Sequence, residues 1–463
     1  MTSATAQDTA AAAPARPVAR MAWLDALRGF AALVVAYFHL QTYVLDKPYD
    51  LVFAGRLDLG RYGVLLFFLV SGYVIMMSLE RYGSLRRFWV GRIFRIYPAL
   101  LLTAVLMLVV IAAGVRPLSR YFRDEPVAAV LGHATMLQEL LGVPSLVNVF
   151  WTLSYEMVFY LVISGLFVLG WHRRIAWWAI GLAVFCLVAG RFLPRDLLSG
   201  DDLQHVTAAA VAVTLVLAGS VAAYVSGRRS AAVAAAAAGV GMLLLPALNG
   251  AAAPDSHAPA GSWRALSFLT VMLAGTVVYA AHHGRMSRRA AAAVLGTVLA
   301  VQLAVDWVHT PQQWQTAEQA MGLRLITCTT LLAVVATFAL GFALRHRRVP
   351  TWLAWLGRVS YSIYLLHPLV RVTLPELWPG ADDYPFAGQL AVGAVYLAAT
   401  LLAAWAAYHL VERPGQRLGK RVSVWLDARL PADRCVRTPA GPAAPEVPTA
   451  RTEAQPRDLR SRV

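Results

Sequence analysis

The chain has 463 residues, 59% of them hydrophobic and only 14% charged, with a mean hydropathy of +0.57. About a quarter of a soluble domain's residues are charged, so this composition excludes an ordinary soluble enzyme. The net charge of +16 invites a nucleic-acid reading. The arginines, however, sit in short loops between apolar runs, which is the topogenic pattern of a membrane protein, and no nucleic-acid partner is expected.

In chain order, residues 1–20 are rich in Ala, Pro and Thr. They lack an apolar core ending in a cleavage site, and read as a disordered tail and not a signal peptide. Apolar stretches of spanning length follow at 22–44, 61–79, 98–115, 151–170, 174–192, 205–226, 231–248, 264–282, 289–307, 321–345, 352–374 and 388–411. The stretch 125–143 is apolar only in patches and reads as an interfacial or re-entrant piece. Pro414 is expected to stop the last of these helices. From about 432 to 463 the composition returns to Pro, Ala, Thr and Arg, a second disordered tail. The fold class is therefore all-α: a polytopic transmembrane helical bundle of about 10–12 spans, its membrane domain covering residues 21–420.

The loops alternate in charge. "WHRR", "GRRS", "HHGRMSRR", "RHRR" and "ERPGQRLGKR" belong to one set, with the arginines of 81–95; "DKPYD", "RDLLSGDD", "APDSHAPAG" and "PELWPGADD" belong to the other. The positive-inside rule places the first set and both termini in the cytoplasm, with the plasma membrane as the expected location. The cysteines, Cys186, Cys328 and Cys435, show neither metal-ligand spacing nor a disulfide framework, and no metal is expected. No internal repeat is visible, which counts against transporters of the inverted-repeat type.

Ionisable residues inside these stretches carry the functional signal, because each costs about 2.5–3.5 kcal/mol at a span centre and is usually kept for a partner or for work. The first span holds Asp25, Arg28 and His39. Arg28 and His39 are three helical turns apart, a rise of about 16 Å, so they share a face at different depths. Asp25 is spaced to pair with Arg28. "RRFWVGRIFRIYPALL" puts Arg92 and Arg95 on one face before Pro98, where bidentate guanidinium contacts suit phosphates. Arg86 and Arg87 read as plain topogenic charges. "VNVFWTLSYEMVFYLV" brings Trp151, Ser154, Glu156 and Tyr160, with Glu156 placed at a depth comparable to His39. "LGRVSYSIYLLHPLV" brings Tyr361, Tyr364 and His367, and "YHLVERPGQRL" brings Glu412. Taken singly, each of these residues fits interhelical hydrogen bonding or snorkelling equally well.

In order, "LDALRGFAALVVAYFH", "GVLLFFLVSGYVI", "RFWVGRIFRIYPAL", "WTLSYEMVFY", "SYSIYLLHP" and "VERP" resemble the motifs of the acyltransferase 3 family of integral membrane acyltransferases. The resemblance covers residues 20–420. It implies transfer of an acyl group, commonly acetyl, from acyl-CoA as co-substrate to a hydroxyl of a sugar, a cell-envelope glycan or a secondary metabolite. No tightly bound cofactor is implied. Arg28 and His39 match the family's Arg and His of the first span, Arg92 and Arg95 its R-x-x-R pair, Glu156 the Glu after its W-S-L stretch, and Glu412 its terminal acid. Thr152 stands where Ser is usual. Relatives usually have ten spans, which makes two of the stretches between 175 and 344 surplus.

Acyl transfer to an alcohol needs a base and positive charge near the developing oxyanion, and neutral imidazole suits the first role. His39 is the expected base; a carboxylate, Glu156 by its depth ahead of Glu412 as the other catalytic candidate, orients it or holds the acceptor, and Arg28, Arg92 and Arg95 are the donor-phosphate and pantetheine site. Ser71 and Ser154 are the serines a covalent route would use, though no Ser-His-Asp spacing stands out. A proton-coupled transporter using Arg28, His39 and Glu156 as its relay, or a non-catalytic partner in an envelope complex, are the rival classes.

Overall fold

The computed structural model describes residues 21–41, 43–44, 56–198, 203–250, 261–310 and 316–433. Both expected tails, 1–20 and nearly all of 432–463, lie outside these. The chain forms helices α1 (Ala22–Gln41), α2 (Leu59–Tyr82), α3 (Leu85–Ala112), α4 (Pro126–Thr135), α5 (Trp151–Val168), α6 (Ile175–Ala189) and α7 (Leu203–Ser226). They are followed by α8 (Arg229–Gly241), α9 (Ser262–His282), α10 (Arg288–His309), α11 (Ala317–Ala343), α12 (Thr351–Leu377), α13 (Phe386–Ala407) and α14 (Arg413–Arg429). No strand occurs among the described residues.

Among the described residues, eleven helical segments are long and apolar enough to cross a membrane by length and composition, as befits a multi-pass membrane protein. α12 has 27 residues but falls outside that set. Arg358, Ser360, Ser362, His367 and Arg371 dilute its apolar content, and of these Ser360, Ser362 and His367 are buried in the interior. Every predicted stretch falls on a helix. Six of the eleven segments lie between 171 and 343, each long and apolar enough to cross by length and composition. The segment after α4 is buried against its neighbours. Gln138 and Glu139 are each 1% exposed, and Asn249 Nδ2 donates to the Leu140 carbonyl at 2.8 Å. Irregular backbone is tolerated in a membrane protein where protein groups satisfy it in this way.

Small residues set the crossings that position the site. At Gly29 of α1 a Cβ would come within 2.7 Å of Leu356 and Gly357, and at Gly357 of α12 within 2.0 Å of the Asp25 carbonyl oxygen. The two backbones therefore touch, as small residues permit between membrane helices. Gly72 of α2 and Gly275 of α9 make the same kind of crossing, their virtual Cβ atoms 1.8 Å from Met272 O and 2.1 Å from Leu69 O. Asp58 caps α2 by accepting from Arg61 N at 2.9 Å, and Ser84 caps α3 by accepting from Arg87 N at 3.2 Å.

One expectation at the C-terminal end is corrected. Pro414 does not stop the helix. α13 passes through a π-helical turn, Tyr408–Glu412, directly into α14. Proline is tolerated there because the first turn of α14 needs no N–H from it. Gly415 and Gly419 then let α14 lie on Phe94 and Pro98 of α3. The wider π turn faces Glu412 inward, where it is 2% exposed.

Candidate active site

Three cavities adjoin along the interior between α1, α2, α3, α5 and α12. The widest, about 350 Å³, is lined by His39, Asp58, Arg61, Trp151, Arg264 and Tyr364, among others. It shares Val64 and Tyr364 with a second of about 50 Å³, which holds Arg28, Ser71, Glu156 and Tyr361. Those four also line a third, of about 20 Å³, which adds Arg92, Arg95 and Tyr160. Shared lining residues thus link the three cavities from the His39 end to the arginine pair. Two larger hollows, about 790 and 660 Å³, are walled by apolar side chains such as Trp177 and Phe185 or Leu295 and Val335. They gather none of the residues singled out by sequence, so size is a poor guide here.

Helix geometry explains the order along this path. Arg28 lies beneath His39 on the same face of α1. Asp25, one turn further along, acts electrostatically on Arg28, as do Glu156, Arg92 and Arg95. Arg28 Nε is buried with no hydrogen-bond partner among the described residues. Arg92 is 8% exposed, donates from Nη2 to Ser78 Oγ at 2.8 Å, and stands 5.3 Å from the ring centres of both Phe88 and Tyr160. Tyr361 donates its hydroxyl to the Ile96 carbonyl at 3.1 Å. That bond ties α12 to α3 one residue beyond Arg95.

Glu156 sits differently from its expected depth. It accepts from Ser71 Oγ at 2.9 Å and lines the two narrow cavities beside Arg28. The residue on α5 that reaches the His39 cavity is Trp151, five residues and about 7.5 Å earlier. His39 stacks on His367, with ring centroids 5.2 Å apart, and meets Phe38 edge-on at 5.3 Å. His367 is fully buried, and its Nδ1 meets the Ile363 carbonyl at 3.1 Å. A carbonyl can only accept, so Nδ1 carries the proton, and in the neutral ring Nε2 is the bare nitrogen. Tyr364 is fixed by Thr152 Oγ1 at 2.8 Å and the Val149 carbonyl at 3.1 Å, which gives the unusual Thr152 a structural role.

Other candidates are held by the protein itself. Ser154 is fully buried and its Oγ takes the Glu139 amide at 3.4 Å. It lines none of the three cavities. Glu412 accepts from Ser362 Oγ at 3.0 Å and Gln416 Nε2 at 3.1 Å, with Arg95 and Arg28 as its charged neighbours. It backs the arginines from behind. Arg86 is not the replaceable topogenic charge expected. It is 1% exposed and donates to the Val225 carbonyl at 2.7 Å, to Asp427 Oδ1 at 3.0 Å and to the Pro431 carbonyl at 2.7 Å. It pins α3, α7 and the end of α14 together. Arg87, half-exposed, reaches only the other oxygen of Asp427.

Sequence reasoning passed over Arg61 and Arg264, which line the His39 cavity. Each is a single Arg near the start of a span, in the pattern of a topogenic charge. The signal that would have found them is their side: they follow loops that otherwise carry acids. Among the described residues no cluster of metal-ligating side chains occurs.

The family model described as an acyltransferase domain matches residues 21–409. Acyltransferase MdmB of Streptomyces mycarofaciens is 32% identical over 188 residues, 37% of this chain and 46% of that protein. A putative acetyltransferase, ORF330, of Acidianus two-tailed virus is 31% identical over 168 residues, 36% of this chain and 47% of its own length. The putative peptidoglycan O-acetyltransferase YrhL of Bacillus subtilis is 29% identical over 182 residues, 35% of this chain and 27% of its own length. The matches thus span about half or less of these curated relatives. No solved structure matches the chain. With the family model matching residues 21–409, most of its length, the chain belongs to the acyltransferase 3 family.

Proposed function

We propose that the protein is a plasma-membrane O-acyltransferase that moves an acyl group, acetyl in the simplest case, from acyl-CoA to a hydroxyl of a sugar, envelope glycan or small-molecule acceptor. The observation that carries this reading is the series of adjoining cavities that leads from His39 past Arg28 and Glu156 to Arg92 and Arg95. An acyl-transfer site needs a base at one end and a phosphate- and thioester-binding end at the other. The relatives named as an acyltransferase and as an O-acetyltransferase support the same chemistry.

In this reading Arg92 and Arg95 hold the phosphates of the donor, and the pantetheine arm runs past Tyr361 toward Val64. The arm is larger than the two narrow cavities, so donor binding must widen them. The thioester then lies between Arg28 and His39. His39 removes the proton of the acceptor hydroxyl as its oxygen attacks the thioester carbon. Arg28, with an open Nε and with Glu156 balancing its charge, stabilises the oxyanion. Collapse breaks the C–S bond, and the leaving thiolate takes the proton from His39. The products are the acyl ester and free CoA thiol. His367, stacked on His39, holds that ring in place. Ser154, buried under the Glu139 amide, supports no covalent route.

Release of free thiol from acetyl-CoA by the purified protein, dependent on an added acceptor, tests the reading directly. Acceptor acetylation seen by mass spectrometry together with stoichiometric thiol is the expected result. Transport of acceptor or protons without thiol release would replace the enzyme with the transporter.

A further inference from the structure

The His39 cavity contains more positive charge than acyl transfer to a plain alcohol requires. Arg61, Arg264 and Arg371 all line it, together with the acid Asp58. Asp58 Oδ1 is occupied in capping α2. Arg61 is 91% buried by its side-chain exposure of 9%, and it binds Asp306, itself fully buried, through Nη2 at 2.8 Å. That leaves Arg61 Nε and Nη1, and Arg264 Nε, buried with no hydrogen-bond partner among the described residues. Buried guanidinium donors are costly to leave unmade, and a planar oxyanion is the group their fork geometry fits. Arg264 stands over the Trp263 ring at 5.0 Å, and Trp151 and Phe268 add aromatic faces to the cavity wall. At about 350 Å³ the space is at the small end of ligand sites. It takes one sugar ring or a group of that size.

We infer that this cavity is the acceptor subsite and that it selects a hydroxyl compound bearing an anionic group, carboxylate or phosphate, which Arg61 and Arg264 bind while His39 meets the hydroxyl. The inference rests on the acyl-transfer reading for the role of His39, but the anion site itself does not. The anion completes the open donors of both arginines and offsets their mutual repulsion. A neutral alcohol leaves those donors unmade. Specificity then comes from the cost of the wrong acceptor as much as from contacts to the right one.

The test is calorimetric binding to the full chain in lipid nanodiscs, with D-glucuronate, D-glucose 1-phosphate and D-glucose as probes. The first two distinguish carboxylate from phosphate, and the third is the uncharged reference. We expect at least one charged probe to bind tenfold or more tightly than glucose. Arg264→Gln should cut that preference to twofold or less. Arg61→Gln alone would strand Asp306 and risks misfolding, so the second variant is the neutralised pair Arg61→Gln/Asp306→Asn, with the same expected loss. His39→Ala should keep the charge preference. Glucose binding as tightly as both charged probes, or a preference that survives both variants, would overturn the subsite. Intact charge preference in a protein that releases no thiol with any acceptor would refute acyl transfer and uphold the anion site.

Discussion

Arg86 and Arg92 lie six residues apart on α3 and share one residue type, yet they do different things. Arg86 has three side-chain hydrogen bonds, to Val225, Asp427 and Pro431, and is closed off from every cavity along the interior path. Arg92 meets Ser78 and two aromatic rings, and the remainder of its guanidinium faces the cavity it shares with Arg95 and Glu156. The same division separates Ser154, held by the Glu139 amide, from Ser71, which lines two cavities and donates to Glu156. What separates the two groups in this bundle is whether a side chain borders shared space or is enclosed by the protein's own groups. Charge and burial alone do not separate them.

Substitutions on the two sides of that division should differ in kind. The largest effect belongs to His39→Ala, which should lower transfer by about 10²–10⁴-fold, the usual cost of losing a general base. Its thermal unfolding should stay near wild type, and a residual activity above a tenth would remove His39 from that role. Arg86→Lys should do the reverse. It loses at least one charge-assisted bond, about 1.5–3 kcal/mol, so detergent-solubilised protein should unfold several degrees lower while the donor KM of the folded fraction holds. A changed donor KM with normal stability would dissolve the distinction between the two arginines.

Arg95→Lys should raise the donor KM roughly tenfold and leave the acceptor KM alone, because Lys keeps the charge but loses the bidentate fork. Ser71→Ala should lower kcat by a smaller factor, about threefold to tenfold, through the freed Glu156 carboxylate. Ser154→Ala should reach kcat only through stability. The smallest effect is expected of Arg87→Lys, within twofold on every kinetic constant, since Arg87 is exposed and shares Asp427 with Arg86. Equal behaviour of the Arg87 and Arg95 variants would return the Arg92–Arg95 pair to a surface-charge role.

Much of the architecture was legible in apolar run lengths, because a spanning helix writes its own length into the sequence. The face shared by Arg28 and His39 was legible as well, from helical periodicity within α1. Three features were not. The partners of Arg86 lie about 140 to 345 residues away in sequence, so its burial leaves no local trace. The depth of Glu156 depends on how α5 and α1 are set across the cavities, and an offset of about 7.5 Å along α5 put it beside Arg28 in place of His39. Arg61 and Arg264 come from α2 and α9, and only packing brings them to the cavity of His39. Pro414 misled for a different reason: proline breaks a helix interior, but here a π turn places it where a new first turn begins.

The central claim is that donor and acceptor meet across the junction between the His39 cavity and the Arg28 cavity. Val64, 6% exposed, and Tyr364 line both sides of it. Val64→Phe fills that junction, at an overpacking cost of about 1–3 kcal/mol. The decisive measurement is thiol release by this variant, paired with its affinity for acetyl-CoA and for the acceptor. We expect both affinities to stay within a few-fold of wild type while transfer falls by a hundredfold or more. A Val64→Phe protein that binds both substrates and still transfers at the wild-type rate would contradict the claim.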